Sequence, residues 1–456
     1  MPDLGRIAGR PVKILIVSPM PPDRSAPGAI PVLLHAEVSG LADRHSVVLI
    51  TIAGPDEHEL RAVQKLDIKG VEVHAVCRSE PHGRARWERR VRFARTWLRG
   101  DWPFQTVWYW DPRAQAVIDR VTAGTAFDVV LAEENSVGVY RFPAGPLRIL
   151  TEHEVRRPRP AMAPPVSPRG WPSWAFREAD WRRWPSYHRA MWDKFDIVQV
   201  FTERDAEVAR SIAPGVRGRL RVNPFSAPLP APADDGAEPD TVAFLGNFSH
   251  PPNVDAALWL AREIMPRLEE IRPQVRLSIA GPCPPARLAS LARRSIQVLG
   301  EVRDAEALMR RSAVIIAPVR TGGGMRMKVL SAMALGKPVV TTTRGSYGLV
   351  TADGPPPLVI ADDASGLARH TAELLADAPA RERLGAAARS FVAMHHTPQA
   401  YARRLERIVA EARRDADTGM PSWTQVSLFP RFSVAAPWPV SSTRSLTKPF
   451  PRRASR

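Results

Sequence analysis

The chain reads as an α/β protein of two similar halves, each with a mostly parallel sheet. Three observations predict this. Short β-branched runs alternate with longer amphipathic ones along most of the 456 residues. The alternation breaks once, in the Pro-, Ala-, Asp- and Gly-rich stretch 226–240, and then restarts. Charged residues make up 24% and hydrophobic residues 44%, values of an ordinary globular chain long enough for several cores.

In chain order, runs at 13–18 (KILIVS), 47–51, 71–76, 129–132, 148–151 and 197–200 predict the strands of the first half, with a helix over 30–41. The second half predicts strands at 241–245, 275–280, 296–299, 313–318, 338–342 and 358–360. Helical periodicity falls between them at 254–268, 285–292, 305–310 and 325–335, and runs almost unbroken over 366–413. The last forty or so residues are rich in Pro and Ser, carry scattered Arg and have no period, which predicts a disordered basic tail. The expected division is a first domain at 1–225, a linker at 226–240 and a second domain at 241–396. A helix at 397–414 then returns toward the first domain, and the tail follows at 415–456.

The 64 Lys and Arg outnumber the 47 Asp and Glu, for a net charge of +17. Only seven of the basic residues are Lys, and a GC-rich coding bias explains that skew as well as a polyanionic partner does. The segment 84–99 (RARWERRVRFARTWLR) places Trp87, Val91, Ala94 and Leu98 on one helical face among seven Arg. That pattern fits an interfacial helix on an anionic bilayer, and equally a packed helix with a solvated Arg face. Residues 156–192 hold five Trp among Arg and Pro and read as a loop, facing either the acceptor and membrane or the first core. No apolar run approaches the ~18 residues of a membrane span. The N-terminal apolar patch is too short for a signal-peptide core and reads as the first strand. Cys77 and Cys283, far apart, suit neither a disulfide framework nor zinc. The expected setting is cytoplasmic, at the inner face of a membrane if segment 84–99 binds one. Nothing resembles a helix-turn-helix, an RRM or a zinc finger, so nucleic acid is not an expected partner.

The sharpest chemical feature is APVRTGGGMRMK at 317–328, a strand running into three glycines and then a helix. Glycines let the backbone approach a ligand closely, and a helix start offers free N–H groups and a positive dipole end. Gly322, Gly323, Gly324 and Met325 therefore suit a diphosphate, with Arg326 and Lys328 adding charge in the first turn. The spacing is neither a P-loop nor a dinucleotide fingerprint, and a tight packing turn would look the same. Gly246-Asn247, just past the first strand of the second half, can face the same crevice, because open α/β sheets bind ligands at their carboxyl edges. The acidic pairs Asp362-Asp363 and Asp234-Asp235 lack His or Cys partners and read as caps and turns, so no metal site is expected.

FLGNFSHPPNVDAALWL, LSIAGPCP, VLGEVRDAEALM and VIIAPVRTGGGMRMKVLSAMALGKPVVTTTRGSYGL occur in that order over about 242–389. They resemble the C-terminal half of family 4 retaining glycosyltransferases of the GT-B fold. IVSPMPP, FDVVLAEENS, ILTEHEV, FDIVQVFTERDAEVA and RVNPF are similar to the family's first half, also in order. The resemblance implies two Rossmann-like domains facing across a cleft and a hexosyltransferase that needs no cofactor and no metal. Its donor is a nucleoside-diphosphate sugar, its acceptor a hydroxyl of a glycan or lipid-linked sugar in polysaccharide or glycoconjugate synthesis. It further implies that the Gly-rich turn and Gly246 hold the diphosphate, that Glu301 and Val302 meet the base, and that His153 lies near the sugar. Two family glutamates, eight positions apart, are here Gly323 and Ser331. Ser331 can meet the ribose only through a neutral hydrogen bond, ~1–2 kcal/mol weaker than a charge-assisted one. That departure keeps open a non-catalytic GT-B protein of a glycan assembly, and because fold does not fix reaction a sugar-nucleotide 2-epimerase-type enzyme on the same scaffold is the other alternative.

Overall fold

The computed structural model describes residues 11–24, 26, 28–78, 83–98, 102–156, 171–232, 236–322, 326–349, 351 and 354–417. The first sheet comprises β1 (Lys13–Ser18), β2 (Ser46–Ala53), β3 (Val71–Cys77), β4 (Val129–Glu133), β5 (Leu147–Glu152), β6 (Ile197–Val200) and β7 (Leu220–Val222). Its order is β3-β2-β1-β4-β5-β6-β7, with every pairing parallel. The second sheet comprises β8 (Glu238–Leu245), β9 (Arg276–Ala280), β10 (Ile296–Gly300), β11 (Ser312–Ala317), β12 (Val339–Thr341) and β13 (Val359–Ile360). It too is all parallel, in the order β10-β9-β8-β11-β12-β13. These are two doubly wound, Rossmann-like units, whose strand order reverses between β1 and β4 and again between β8 and β11.

The helices are α1 (Ala29–Ala42), α2 (Glu57–Lys65), α3 (Gly83–Leu98), α4 (Phe104–Tyr109), α5 (Pro112–Gly124), α6 (Trp171–Trp192) and α7 (Glu203–Ile212) in the first domain. After β8 come α8 (Pro251–Trp259), α9 (Met265–Ile271), α10 (Ala286–Ala289), α11 (Ala305–Arg311), α12 (Met327–Ala334), α13 (Ala364–Ala376), α14 (Ala378–His395) and α15 (Pro398–Asp417). A π-helical turn over Leu260–Ile264 joins α8 to α9. Parallel strands covered on both faces bury nearly every residue, which is why β4, β6 and β11 are buried throughout and β4 and β11 are apolar over four and five successive residues. Thr202, Asp304 and Asp363 each accept a backbone N–H at the start of α7, α11 and α13.

The last helix lies against the first domain. Gly40 of α1 permits this, because a Cβ there would sit 2.7 Å from Pro398. Polar contacts then hold α15 in place. Gln199 donates to the Tyr401 hydroxyl at 2.9 Å, and Arg404 donates to Asn223 at 2.8 Å and to the Pro224 carbonyl at 2.7 Å. Arg44 and Glu406 pair at 2.6 Å. One apolar cluster runs from Ile14 and Leu33 through Tyr401 and Leu405, past Phe225 and Ala227, to Ala332 and Met333 of α12.

Four expectations change. Residues 171–192 are a helix and not a loop, with Trp184, Tyr187, His188, Met191 and Trp192 buried along one face. Pro185 inside it disguises the period, since proline normally ends a helix. Strand β7 was not expected, being a three-residue edge strand with one Arg in the middle. The stretch assigned to a linker ends earlier, because β8 begins at Glu238, and its start at Ser226 and Ala227 is buried. Helix α12 begins at Met327, with Arg326 as its N-cap in place of a first-turn residue. The tail from 418 onward and Asp234-Asp235 lie outside the described residues.

Candidate functional site

The site is built from the carboxyl ends of β8, β9 and β11. Gly246 follows β8, and its N–H donates to the Ala280 carbonyl at 3.0 Å. Gly281 follows β9 at φ +146°, where a Cβ would lie 1.8 Å from the Gly246 oxygen. Only glycine lets these two strand ends meet. Asn247 closes the turn by accepting from the Ser249 N–H at 2.9 Å and its hydroxyl at 2.6 Å. The turn after β11 reaches Gly322 at φ +89°, where a Cβ would be 3.0 Å from Pro252 and 3.2 Å from Arg326. The two glycine turns thus abut, at the point where the strand order reverses.

Cations gather there. Lys328 Nζ donates to Asn253 Oδ1 at 2.7 Å and sits 4.4 Å from the Phe244 ring centroid. Burial, and then the nearby Arg326, pulls its pKa down to about 7. Arg326 donates to the Thr321 carbonyl at 3.1 Å, while its Nε is buried without a partner. Burial chiefly, then Arg344, lowers the Arg326 pKa, and the first domain acts on it through Glu154, Arg204 and Asp205. Arg344 donates to the Gly322 carbonyl at 3.2 Å. From the other domain, the Arg204 guanidinium lies 4.8 Å from the Tyr347 ring centroid, and Arg344 lies 5.6 Å from it. Among the described residues, none of Arg204, Arg326, Arg344 and Lys328 forms an ion pair with a carboxylate.

The first domain answers with a buried polar network at the end of β4 and β5. His153 Nε2 donates to Glu133 Oε2 at 2.9 Å, and the Thr151 hydroxyl donates to the other Glu133 oxygen at 3.1 Å. This bond sets the imidazole orientation and leaves Nδ1 buried without a protein partner. Glu152 accepts from Trp192 at 2.7 Å, Asn135 at 3.2 Å and His188 at 3.3 Å. Burial opposes its charge, but His188 and these donors outweigh it and hold its pKa below the usual value. Glu134 is held at φ +75°, a strained conformation for a non-glycine residue beside a candidate site. Asp205 is pushed up to about 6, mainly by burial against the Thr202 hydrogen bond.

The structure therefore brings Gly246, Asn247, Gly322, Arg326 and Lys328 together where the two turns abut, with Arg326 in electrostatic reach of Glu154, next to His153. Gly323, Gly324 and Met325 lie outside the described residues. Ser331 is half-buried on α12; Glu301, exposed, and Val302, half-buried, follow the end of β10. Asp362 accepts from Thr343 at 2.9 and 2.6 Å, and Asp363 caps α13. Sequence reasoning missed Arg204, Gly281, Arg344 and Tyr347. The signal for Gly281 and Arg344 was available, since each directly follows or closely trails a predicted strand at its carboxyl end.

Residues 239–377 match the model of the family described as Glycosyl transferases group 1. The match lies within the second domain and covers less than a third of the chain, and the whole has the two-domain GT-B fold of its structural neighbours. These include sucrose-phosphate synthase from Thermosynechococcus elongatus (TM-score 0.59, 15% identity, 89% of this chain and 100% of that one). A glycosyltransferase from Rickettsia africae gives 0.58 and 12%, over 89% and 100%. Anabaena Alr3699/HepE, in complex with UDP and glucose, gives 0.57 and 14%, over 88% and 100%. At such identities the likeness is one of fold. An uncharacterised 44.6 kDa protein in a cps region of Klebsiella pneumoniae is 30% identical over 138 residues, 28% of this chain. The match spans 35% of that relative's length.

Proposed function

We propose that the chain is a glycosyltransferase that moves a sugar from a nucleoside diphosphate to an acceptor hydroxyl of a glycan or lipid-linked sugar. The observation that supports it most is the glycine-lined junction of the β8 and β11 turns, where Lys328, Arg326 and Arg344 gather without carboxylate ion pairs among the described residues. Such a site suits a diphosphate, and the family match and the UDP-bound neighbour agree with that chemistry. The bond from the sugar's anomeric carbon to the diphosphate would break with charge growing on the leaving oxygens, where the cations and the turn's N–H groups stabilise it. His153, oriented by Glu133, would face the sugar with its free Nδ1. Retention of configuration, independence from metal and a role in polysaccharide synthesis belong to the same reading.

Titration calorimetry with UDP and GDP tests it. Submillimolar binding that disappears in Lys328→Ala supports the reading, and an absence of binding by any nucleoside diphosphate refutes it.

A membrane role has its own observation. Phe93 and Trp97 turn inward, where Trp97 stacks on Phe176 at 4.9 Å, while Trp87 and Leu98 remain 66% and 73% exposed beside exposed Arg86, Arg90 and Arg95. An outward apolar face rimmed with Arg suits the interface of an anionic membrane. No helix among the described residues is long and apolar enough to cross one.

A further inference from the structure

We infer that Arg404 of the last helix is a positioning residue for His153, because it fixes the direction of a buried chain of hydrogen bonds that ends on Glu133 as a carboxylate. That direction follows from the first domain and α15 alone. The ligand hydroxyl it prepares for rests on the donor reading above.

The chain starts at a group that can only donate, since a guanidinium carries five N–H bonds and no acceptor. Arg404 spends them on fixed partners. Nη1 donates to the His395 carbonyl at 2.6 Å, Nη2 to the Pro224 carbonyl at 2.7 Å and Nε to Asn223 Oδ1 at 2.8 Å. Burial pulls the Arg404 pKa down to about 10, which still leaves the group charged at neutral pH. Asn223 thus turns its oxygen to α15 and its amide nitrogen to Gln199, whose Oε1 accepts at 3.1 Å. Gln199 is committed in turn. Its Nε2 donates to the Tyr401 hydroxyl at 2.9 Å and to the Thr151 hydroxyl at 3.3 Å. Thr151, already accepting, gives its single proton to Glu133 Oε1 at 3.1 Å. The other Glu133 oxygen takes the Nε2 proton of His153 at 2.9 Å. Asn223, Gln199, Thr151 and Glu133 are no more than 1% exposed, so none can turn to solvent for another partner.

Two carboxyl groups lie at the end of this chain, and it decides which of them keeps a proton. Glu37 of α1 is buried, and neither of its oxygens has a partner at full hydrogen-bond distance. Burial first, and then Glu133, raise its pKa well above the usual value, against Arg404 and Tyr401. Glu133, with a donor on each oxygen, is the better place for the negative charge. A charged Glu133 holds the imidazole proton on Nε2 and leaves the buried Nδ1 as an acceptor. The group that belongs opposite His153 is therefore a donor, such as a hydroxyl, and not an ether or carboxylate oxygen. A reversed chain would undo this. With the Gln199 oxygen facing Thr151, the hydroxyl proton would turn away from Glu133, and the two facing oxygens would need a proton between them.

Infrared spectra of the full chain near neutral pH, with the glutamate carboxyls isotopically labelled to separate them from aspartate, test the inference. Glu37→Gln should remove one neutral-acid carbonyl band, and Glu133→Gln should remove none. Asn223→Asp keeps the shape and the Arg404 contact but replaces the donor to Gln199 by an acceptor. It should add one neutral-acid band, which the further change Glu133→Gln abolishes. Arg404→Met, which frees Asn223 to turn, should add part of the same band. Thr151→Val should add it as well, and Thr151→Ser, which keeps the hydroxyl, should not. Tyr401→Phe should lower the Tm without adding the band, which separates the direction of the chain from its packing. Nitrogen NMR of the His153 ring, assigned with His153→Gln, should place the wild-type proton on Nε2. A proton on Nδ1, or a wild-type acid band that disappears in Glu133→Gln, overturns the inference. Folded Arg404→Met and Asn223→Asp proteins that both leave Glu133 ionised overturn it too. No nucleotide is present, so such a failure leaves the donor reading standing; that reading falls separately, if no nucleoside diphosphate binds in calorimetry.

Discussion

Replacing Lys328 by Met should make the protein more stable while removing its ability to hold a nucleoside diphosphate. Lys328 titrates at about 7 instead of 10.5, because burial and then Arg326 disfavour its charge. That gap corresponds to an upper limit of ~5 kcal/mol, at ~1.4 kcal/mol per pH unit. Lys328 is only half-buried, so solvent screening reduces this to ~2–3 kcal/mol. Methionine fills the same channel over Phe244, but Asn253 Oδ1 loses its 2.7 Å donor, which costs ~1 kcal/mol. The net expectation is a gain of ~1–2 kcal/mol, or roughly 3–6 °C in Tm. The pH dependence is the distinctive part. Between about 7 and 10.5 the unfolded chain holds the lysine proton and the folded chain releases it, so wild-type stability rises with pH in that window. The advantage of Lys328→Met is therefore complete below pH 7 and gives way, by about 10.5, to a deficit of ~1 kcal/mol from the lost Asn253 bond. Thermal melts of both proteins from about pH 6.5 to about 9.5, with calorimetric titration of UDP at one pH, measure both halves of the claim. A stability difference independent of pH, or a Met variant that binds UDP as well as wild type, would refute the reasoning.

Ser331→Glu, on the exposed-side face of α12, should tighten nucleoside diphosphate binding roughly tenfold by restoring a charged acceptor for ribose hydroxyls, ~1–2 kcal/mol; an unchanged Kd in calorimetry would separate Ser331 from the ribose. Gly281→Ala should lower the Tm and weaken UDP binding together, because its Cβ would overlap the Gly246 oxygen at 1.8 Å and force two strand ends apart. Glu133→Gln should slow sugar transfer without weakening UDP binding, because it loosens the 2.9 Å bond that orients His153 and touches no part of the anion site; a loss of UDP affinity would contradict that separation. Trp87→Ala combined with Leu98→Ser should reduce flotation with phosphatidylserine vesicles and leave the melting curve unchanged, since both side chains are more than half exposed.

The strands were legible because a parallel sheet covered on both faces writes itself as apolar runs, as β4 and β11 do. The glycine turns were legible for a related reason: positive φ and close approach admit few other residues, so Gly246 and Gly322 mark strand ends directly. Helix α6 was hidden by one local conflict, Pro185, which tertiary burial of Trp184 and Trp192 overrides. Roles that depend on pairing were not legible either. His153 was singled out by the resemblance alone, and its bond to Glu133, which fixes the imidazole, appears only in the folded chain.

Sequence alone determined two doubly wound domains and which glycine turns would meet at the strand ends, since periodicity and glycine spacing are local properties of the chain. Tertiary structure alone decided which cations share that site. Arg204, Arg326 and Arg344 come from three segments and two domains, and an electrostatic field depends on distance through space. It also decided that they stand without carboxylate partners among the described residues, and that absence of compensation is what suits the cluster to the diphosphate proposed for it.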